Sequence, residues 1–260
     1  MSLNRKLNEI YLSSSPETLA ILAIDENSDL KWKVARNPNT SPETLALLAR
    51  DRSWSIRYAV TKNPNTSPAT LEILATDEEW LTRYNTALHP NIFPKTLAFL
   101  GNDPNSNVKC GVAKKPNTPV ETLAALSKNR DSDIRSAIAQ NPNTPEKTLL
   151  LLIKSSNWHL RYHIALNKNT TIKILAKLVK DKEWGVRMGV AENINAPLQI
   201  LGYLLDDEEY IVRKCLSKNP NISLKILIKL LQDEDDLVRE SAFQNPNLPV
   251  EYKMLYLMNN

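Results

Sequence analysis

The chain has 260 residues, a formal net charge of +4 and an apolar content of 42%. This composition is typical of a folded protein and excludes intrinsic disorder as the main state. Five glycines and two cysteines are too few for a glycine-rich phosphate loop, a disulfide framework or a paired-cysteine metal site. The polar N-terminus lacks the apolar segment of a secretory signal, and no apolar run approaches the roughly 20 residues of a membrane-spanning helix. We therefore expect a cytoplasmic protein without membrane contact.

The sequence repeats itself with a period of 26 residues. The motif Asn-Pro-Asn at 37–39 recurs, with substitutions and without insertions, at residues 63, 89, 115, 141, 167, 193, 219 and 245. One further repeat fits upstream, starting at Tyr11. The prediction is one domain with an N-terminal cap (1–10), nine repeats (11–244) and a partial repeat or C-terminal cap (245–260). A fixed period of about 20–50 residues is typical of solenoids and related arrays.

Each repeat predicts a loop followed by two short helices. Repeats are numbered 1 to 9 and positions 1 to 26 within each, so that Asn37 is position 1 of repeat 2. Fifteen of the sixteen prolines fall at positions 1–6, where proline suits a turn or the first residue of a helix. In repeat 2, Ser41 is expected to cap the first helix and Asp51 the second. The loop asparagines suit a turn, because Asn tolerates left-handed backbone conformations and hydrogen-bonds its own backbone.

The apolar residues of both helices recur with the i, i+3, i+4 spacing of one helical face. The i, i+2 spacing of a leucine-rich repeat strand is missing, so the leucines belong to a helical core. A pair of short helices cannot bury its apolar face alone and must stack on its neighbours. The sequence therefore predicts an all-α solenoid that is more than half helical and has no sheet.

The repeat at 37–62 reads NPNTSPETLALLARDRSWSIRYAVTK and resembles the variant leucine-rich repeat family, a short bacterial relative of HEAT-like helical repeats. The resemblance covers nearly the whole chain and is weaker in the repeats at Asn167 and Asn193, which lack the central proline. It implies a right-handed superhelix of alternating α- and 3₁₀-type helices. Some members carry an iron–sulfur cluster in a cysteine-rich N-terminal segment. Because Cys110 and Cys215 lie inside repeats instead, no cluster or other cofactor is expected.

Position 21 is basic in all nine repeats, and position 15 is Asp in all but two, which carry Asn129 and Ser155. One interpretation of the basic column is a ladder of phosphate contacts along a nucleic acid. The resemblance to HEAT-like repeats implies instead that the acid caps the second helix and pairs with a base of the same or an adjacent repeat. We favour this structural role. Arg135, whose own repeat carries Asn129, is predicted to borrow a neighbour's acid or to stay unpaired. The bases are Lys31, Arg57, Arg83, Lys109, Arg135, Arg161, Arg187, Arg213 and Arg239, and the acids are Asp25, Asp51, Asp77, Asp103, Asp181, Asp207 and Asp233.

Positions 18 and 22 of the second helix carry aromatic residues in two groups and lose them in repeats 4 and 5. Positions 20, 23 and 24 define the buried side of this helix, so that positions 18 and 22 are expected to face away from it. Such a surface suits a protein or peptide hot spot or the stacking of single-stranded bases. The alternative is that position 18 is buried between repeats, and the position-22 tyrosines are expected to be more exposed. The candidate partner-binding residues are Trp54, Tyr58, Trp80 and Tyr84 in one group and Trp158, Tyr162, Trp184 and Tyr210 in the other.

Patterns that would indicate catalysis are weak. His159 and His163 share a helical face, as in a two-histidine metal pair, but no glutamate of a metalloprotease motif accompanies them. The acidic run 206–209 is typical of a solvated turn. The prediction is a monomeric, non-enzymatic scaffold without metal or cofactor that recognises a protein or peptide along the concave face of the solenoid. The alternative is a nucleic-acid-binding repeat protein that uses its arginine and aromatic face.

Overall fold

The computed structural model describes residues 15–259. Residues 1–14, which hold the predicted N-terminal cap and the start of repeat 1, and residue 260 lie outside the described residues. The described range folds into nineteen α-helices and one 3₁₀ segment and contains no strand. Helices cover more than half of the chain, so the all-α repeat fold predicted from the sequence is confirmed.

The helices alternate between the two helices of each repeat, odd numbers being the first helix and even numbers the second. Packing divides them into two units, Met1–Thr122 and Leu123–Asn260. The first unit holds α1 (Pro16–Leu22), α2 (Ser28–Arg36), α3 (Pro42–Leu48), α4 (Trp54–Val60), α5 (Pro68–Leu74), α6 (Trp80–Leu88), α7 (Pro94–Leu100) and α8 (Ser106–Lys114). The boundary falls inside α9 (Val120–Leu126). That all repeats form one domain stays a prediction.

The second unit continues the alternation after α9. It holds α10 (Ser132–Gln140), α11 (Glu146–Leu152), α12 (Trp158–Leu166), α13 (Ile172–Leu178), α14 (Trp184–Glu192), α15 (Leu198–Leu201), α16 (Tyr210–Lys218), α17 (Leu224–Leu230), α18 (Asp236–Gln244) and α19 (Val250–Asn259). A 3₁₀ segment, Gly202–Leu204, extends the short α15. Within each unit, the even-numbered helices of successive repeats contact one another more extensively than the odd-numbered helices do.

The first helix of repeat 2, α3, begins as the sequence predicts. In α3, the Ser41 hydroxyl accepts a hydrogen bond from the Thr44 backbone N–H at 3.3 Å, and Pro42 is the first helical residue. Leu45 and Leu48 are fully buried in the core that α3 shares with its neighbours. The Leu45 N–H already reaches the Ser41 carbonyl, as in an α-helix. The alternation of α- and 3₁₀-helices implied by the family resemblance is therefore wrong for the described residues, because these capped, leucine-rich segments complete α-helical turns.

The even-numbered helices begin two residues later than predicted. The cap of α4 is Ser53, and the prediction of Asp51 as its cap is wrong. The Asp51 Oδ1 instead accepts the Ser53 backbone N–H at 2.8 Å, while its Oδ2 accepts Lys31 Nζ at 2.9 Å. The acid thus shapes the turn before the helix and ties it to the preceding repeat.

The loop asparagines join successive repeats. No described residue, glycine included, has a positive φ, so the turns do not use the left-handed conformation that asparagine tolerates. Asn63 does bond its own backbone, because its Oδ1 accepts the Asn65 N–H at 3.0 Å. Its Nδ2 also donates to the carbonyls of Ala35 and Asn37 in the preceding repeat, both at 2.8 Å. The same paired contact is made by Asn167, Asn193, Asn219 and Asn245.

Candidate functional site

The basic column at position 21 forms an ion-pair ladder between repeats. Arg161 shows its geometry: Nε donates to Asp181 Oδ2 at 2.7 Å, and Nη2 donates to Asp181 Oδ1 at 2.9 Å. Its Nη1 donates to the Ser155 carbonyl of its own repeat at 2.7 Å. The acid therefore comes from the following repeat, whereas the base's own repeat supplies backbone carbonyls. The same base-to-acid pairing occurs at Lys31–Asp51, Arg57–Asp77, Arg83–Asp103, Arg187–Asp207 and Arg213–Asp233.

Arg135 departs from this pairing, but the reason that the sequence suggested, Asn129 of its own repeat, is wrong, because Asn129 lies twenty positions after Lys109. For Arg135, the residue twenty positions on, where Arg161 finds its acid, is Ser155. The Nε atom of Arg135 is buried and has no hydrogen-bond partner among the described residues. The sequence predicts that Arg135 either borrows a neighbour's acid or stays unpaired, and its Nε atom is unpaired.

The pKa values of the ladder acids Asp51, Asp181 and Asp233 lie below the ordinary value. Burial would raise the pKa of Asp233, but the hydrogen bonds from Arg213 and the Asp235 backbone, together with the Arg213 charge, hold this pKa below its usual value. Asp181 is lowered by the same causes through Arg161. Since these carboxylates stay ionised at neutral pH, the arginines of complete ladder steps are neutralised and satisfied.

Acid is expected to destabilise the ladder. A carboxylate with a lowered pKa in the folded state stabilises the fold above its ordinary pKa of about 3.9 and loses this stabilisation as the pH falls through the lower folded value. We expect the free energy of unfolding, measured by urea denaturation, to fall modestly between about pH 7 and pH 5, because His89 and His163, whose pKa values burial lowers, bind protons first in the unfolded state. We expect a further fall below about pH 4, where the carboxylates of the unfolded chain take up protons. A free energy of unfolding that rises through this acidic range would contradict the assignment.

We call the position-18 residues Trp54, Trp80, Trp158, Trp184 and Tyr210 the aromatic column. Each is the first residue of an even-numbered helix. Four of them are well exposed, at 47% for Trp54, 39% for Trp80, 43% for Trp184 and 41% for Tyr210. Trp158 is half-buried and stacks on His159 at a centroid distance of 3.6 Å. Burial of the whole column between repeats, the alternative considered above, does not occur.

The position-22 tyrosines, Tyr58, Tyr84 and Tyr162, are half-buried, which reverses the expected order of exposure. Tyr84 and Tyr162 pack on glycines of the following repeat. A Cβ atom on Gly111 would lie 3.1 Å from the Tyr84 ring, and one on Gly189 would lie 2.8 Å from the Tyr162 ring. A helical-wheel argument within one repeat misses this contact, because the partner lies one repeat further along the chain.

Tyr162 is also held by a polar contact. Its hydroxyl donates to the Glu192 carboxylate at 3.2 Å, and the Cys215 thiol approaches the same carboxylate at 3.5 Å. Burial, reinforced by the Glu192 charge, raises the pKa of Cys215 to about 11, so that this thiol stays protonated at neutral pH. The three side chains fix one edge of the second aromatic group.

Cations flank the first aromatic group. The Arg36 guanidinium lies 5.0 Å from the centre of the Trp32 ring, and Lys62 Nζ lies 5.4 Å from the centre of the Tyr58 ring. Trp54 and Tyr58 meet edge to face at 6.4 Å, and Trp80 and Tyr84 lie at the same separation. Trp32 at position 22 and Arg36 and Lys62 at position 26 are further candidates, which the repeat numbering identifies and the sequence-based candidates lack.

A second set of exposed apolar side chains lies on the odd-numbered helices. Position 11 is apolar in most repeats, and the sequence analysis missed this column, whose signal is the 26-residue spacing itself. Its exposed members are Ile21, Leu47, Phe99, Leu151 and Tyr203. They belong to the other helix of each repeat and so provide a matched set of exposed side chains outside the aromatic column.

Substitution of Gly185 tests whether Trp158 packs on the following repeat. A Cβ at Gly185 would lie 2.6 Å from Trp158 Cζ3. Overpacking costs about 1–3 kcal/mol, and the better helix propensity of alanine offsets about 1 kcal/mol of this. We expect Gly185→Ala to lower the free energy of unfolding by about 1 kcal/mol in urea denaturation. Gly202→Ala is the control, because no heavy atom lies within 4 Å of its added Cβ. Equal effects of the two substitutions would contradict the contact.

The described residues hold no group of three or more His, Cys, Asp and Glu side chains that could bind a metal ion. Burial is the main cause that lowers the pKa of His163, with a further contribution from the charge of His159. Across residues 15–259, none of the helices has the length and apolar content needed to cross a membrane.

Comparison with known proteins places the fold. One solved structure, described as a leucine-rich repeat variant with a novel repetitive structural motif, superposes with a TM-score of 0.59 at 22% identity, covering 85% of this chain and 88% of that one. The chain thus has the helical-repeat fold of that protein, as the sequence resemblance predicted.

Two further solved structures are more distant. Importin beta matches with a TM-score of 0.30 at 13% identity, over 94% of this chain and 36% of that one. The S. pombe condensin Cnd3–Cnd2 subcomplex matches with a TM-score of 0.27 at 16% identity, over 93% of this chain and 32% of that one. Both scores are too low to carry an argument about this chain. No protein-family model matches the sequence, and neither does any curated protein.

Proposed function

We propose that this protein is a non-enzymatic scaffold that binds a protein or peptide along the surface of its even-numbered helices. The observation that carries the proposal is the exposure of Trp54, Trp80, Trp184 and Tyr210 at one position of successive repeats. Leaving large aromatic side chains in water forfeits the free energy of burying them. Tryptophan and tyrosine, with arginine, supply most of the binding energy at protein interfaces.

The proposed binding surface is the concave one. Within each unit, the even-numbered helices pack on one another more extensively than the odd-numbered helices. In a curved array of repeats, the more closely packed elements line the inner side, and helical-repeat proteins use this extended inner surface for recognition. The aromatic column begins each even-numbered helix from Trp54 to Trp80 in the first unit and from Trp158 to Tyr210 in the second.

The ion-pair ladder favours a protein or peptide over a nucleic acid. Nucleic-acid binding draws on lysine and arginine side chains that neutralise phosphates. In complete ladder steps such as Arg57–Asp77, the side chain of the arginine is 11% exposed and that of its acid 2%. These guanidiniums are already neutralised, so that the paired members of the basic column offer little free positive charge to phosphates.

The test compares the partners captured by the protein with those captured by a surface variant. Trp54→Ala/Trp80→Ala removes two exposed members of the aromatic column, and Phe99→Ala removes an exposed aromatic from an odd-numbered helix. We expect cell extract to yield a protein that binds wild type and the Phe99 control and is lost, by about tenfold or more, with the double variant. Circular dichroism and thermal unfolding confirm that the variants stay folded. Equal capture by all three proteins would contradict the proposal.

The same three proteins are used to test whether the ligand is a nucleic acid. Fluorescence anisotropy with generic single-stranded DNA and RNA is measured across a range of salt concentrations. We expect no binding at physiological salt. Tight binding that weakens steeply with salt and is lost in the Trp54→Ala/Trp80→Ala variant would overturn the protein-ligand proposal in favour of base stacking on the aromatic column.

A further inference from the structure

Arg135 lies on α10 at a break in the ion-pair ladder. At the equivalent place in the next repeat, Arg161 Nε donates to Asp181 Oδ2 at 2.7 Å. Ser155 takes the place of this aspartate for Arg135. The Nε atom of Arg135 is buried and has no hydrogen-bond partner among the described residues. A buried charged donor without a partner loses the free energy of its hydrogen bond and of its hydration.

The aspartate at this position caps the turn and pairs with the ladder arginine, and Ser155 makes only the turn contact. Its hydroxyl accepts the Asn157 backbone N–H at 3.2 Å, as Asp181 Oδ1 accepts the Glu183 N–H at 3.0 Å. The turn before the even-numbered helix is therefore retained. The oxygen that would receive the Nε–H of Arg135 is the part that a serine side chain does not supply.

The guanidinium of a ladder arginine is reachable from solvent. Glu208, whose side chain is 79% exposed, accepts a hydrogen bond from Arg187 Nη2 at 3.1 Å. Glu234, at 85% exposure, reaches Arg213 Nη2 at 3.2 Å. An exposed glutamate side chain thus binds these arginines from the solvent side. For Arg135 the corresponding residue is Ser156, which is exposed and carries no acid.

We propose that Arg135, with the loop at Ser155 and Ser156, is a binding site for a carboxylate. The ligand is a small carboxylate ion or an Asp or Glu side chain of a bound protein, which approaches the guanidinium from the solvent side, as Glu208 approaches Arg187 Nη2. The planar guanidinium matches two carboxylate oxygens at once. The site stands independently of the aromatic column, since it rests on the ladder alone.

The side-chain Nε–Hε signals of the arginines in a nitrogen-15 NMR spectrum test the site. Acetate replaces chloride at constant ionic strength. We expect the Arg135 signal to move downfield and to saturate, while the Arg161 signal, already paired with Asp181, stays in place as an internal control. If both signals move alike, the effect is one of general salt and the proposal is overturned. A larger shift with phosphate than with acetate would overturn the carboxylate assignment.

Ser155→Asp supplies the carboxylate within the chain. We expect this variant to unfold at a higher temperature than wild type and its Arg135 signal to ignore acetate. A response to acetate equal to that of wild type would contradict the proposal. Should Ser155→Asp fail to fold, Arg135→Lys takes its place: acetate raises the unfolding temperature of wild type, and this rise is lost in the lysine variant. A rise of the same size in Arg135→Lys would contradict the site.

The source of the carboxylate is distinguished by a short polyglutamate peptide, with polyglutamine as the neutral control. A shift of the Arg135 signal at a lower carboxylate concentration than acetate requires supports the site and assigns it to protein side chains. A shift with acetate alone supports the site and assigns it to a free ion. An equal shift with polyglutamine would overturn the proposal, because a neutral chain offers no carboxylate.

Discussion

Arg213→Ala is expected to lower the free energy of unfolding by about 3 kcal/mol, because removing one member of a buried ion pair leaves its partner charged and unpaired. Arg213 Nε and Nη2 donate to Asp233 at 2.8 and 2.9 Å, and Nη1 donates to the Asp207 carbonyl at 2.6 Å. Both side chains of the pair are 8% exposed. Urea denaturation at neutral pH measures the loss.

Arg239→Ala is the matched control for the ladder. Arg239 occupies the same position in repeat 9 and donates to the Asp233 and Glu234 carbonyls, but the residue twenty positions on is Asn259 and not an acid, and its salt-bridge partner is the exposed Asp236. Its side chain is 27% exposed. We expect a loss of about 1 kcal/mol, since only backbone contacts and an exposed ion pair are removed. If Arg213→Ala is no more destabilising than Arg239→Ala, the ladder pairing does not stabilise the fold.

Asn63→Ala is expected to lower the free energy of unfolding by about 2 kcal/mol, because two buried carbonyls lose their donor. Asn63 is fully buried, and its Nδ2 serves Ala35 and Asn37 of the preceding repeat. Its Oδ1 also holds the Asn65 N–H. Thermal and urea unfolding measure the cost of separating repeats 2 and 3.

Asn65→Ala is the control for this contact. Its Nδ2 donates to the Pro38 carbonyl at 2.6 Å, but Asn65 is exposed, so that water replaces the lost amide. We expect a loss below about 1 kcal/mol. Equal losses at the two asparagines would show that burial of the amide between repeats is unimportant.

The helices and their order can be predicted from the sequence, because the signals that start each helix are local. The Ser41-Pro42 start of α3 needs only residues within one turn, since the Ser41 hydroxyl caps the Thr44 N–H. The period of 26 residues then requires stacking, because each pair of helices is too small to bury its own apolar face. Fold class and repeat boundaries could therefore be predicted from the sequence alone.

The contacts between repeats could not be predicted, because they depend on the register of one repeat against the next. The sequence shows a base and an acid six residues apart, yet Arg161 pairs with Asp181 twenty residues on. The loop asparagines illustrate the same limit. The sequence predicts only the hydrogen bond of Asn63 within its own turn, whereas its amide nitrogen also donates to carbonyls of the preceding repeat.

The candidate site shows what a single helical wheel leaves out. Positions 18 and 22 both face away from the core of their own repeat. They differ in exposure because of contacts with the following repeat. Tyr84 is covered because the next repeat offers Gly111, and Tyr162 because it offers Gly189. Substituting these tyrosines would disturb packing as well as a surface. The exposed tryptophans, such as Trp54 and Trp80, are therefore the sharper probes of binding.

The second unit extends the test of the aromatic column. Trp184→Ala/Tyr210→Ala removes its two well-exposed members there, and Tyr203→Ala, at a side chain 64% exposed on the 3₁₀ segment after α15, is the matched control. Comparing the two double variants shows whether the partner contacts one unit or both.

Recognition through the aromatic column is tested by the dissociation constant of the purified partner, measured by calorimetry against wild type, Trp54→Ala/Trp80→Ala and Phe99→Ala. We expect the double variant to bind about tenfold or more weakly and the Phe99 variant to bind like wild type. We also expect both variants to keep their free energy of unfolding within about 1 kcal/mol of wild type. A double variant that is equally stable and binds the partner as tightly as wild type would contradict recognition through the aromatic column.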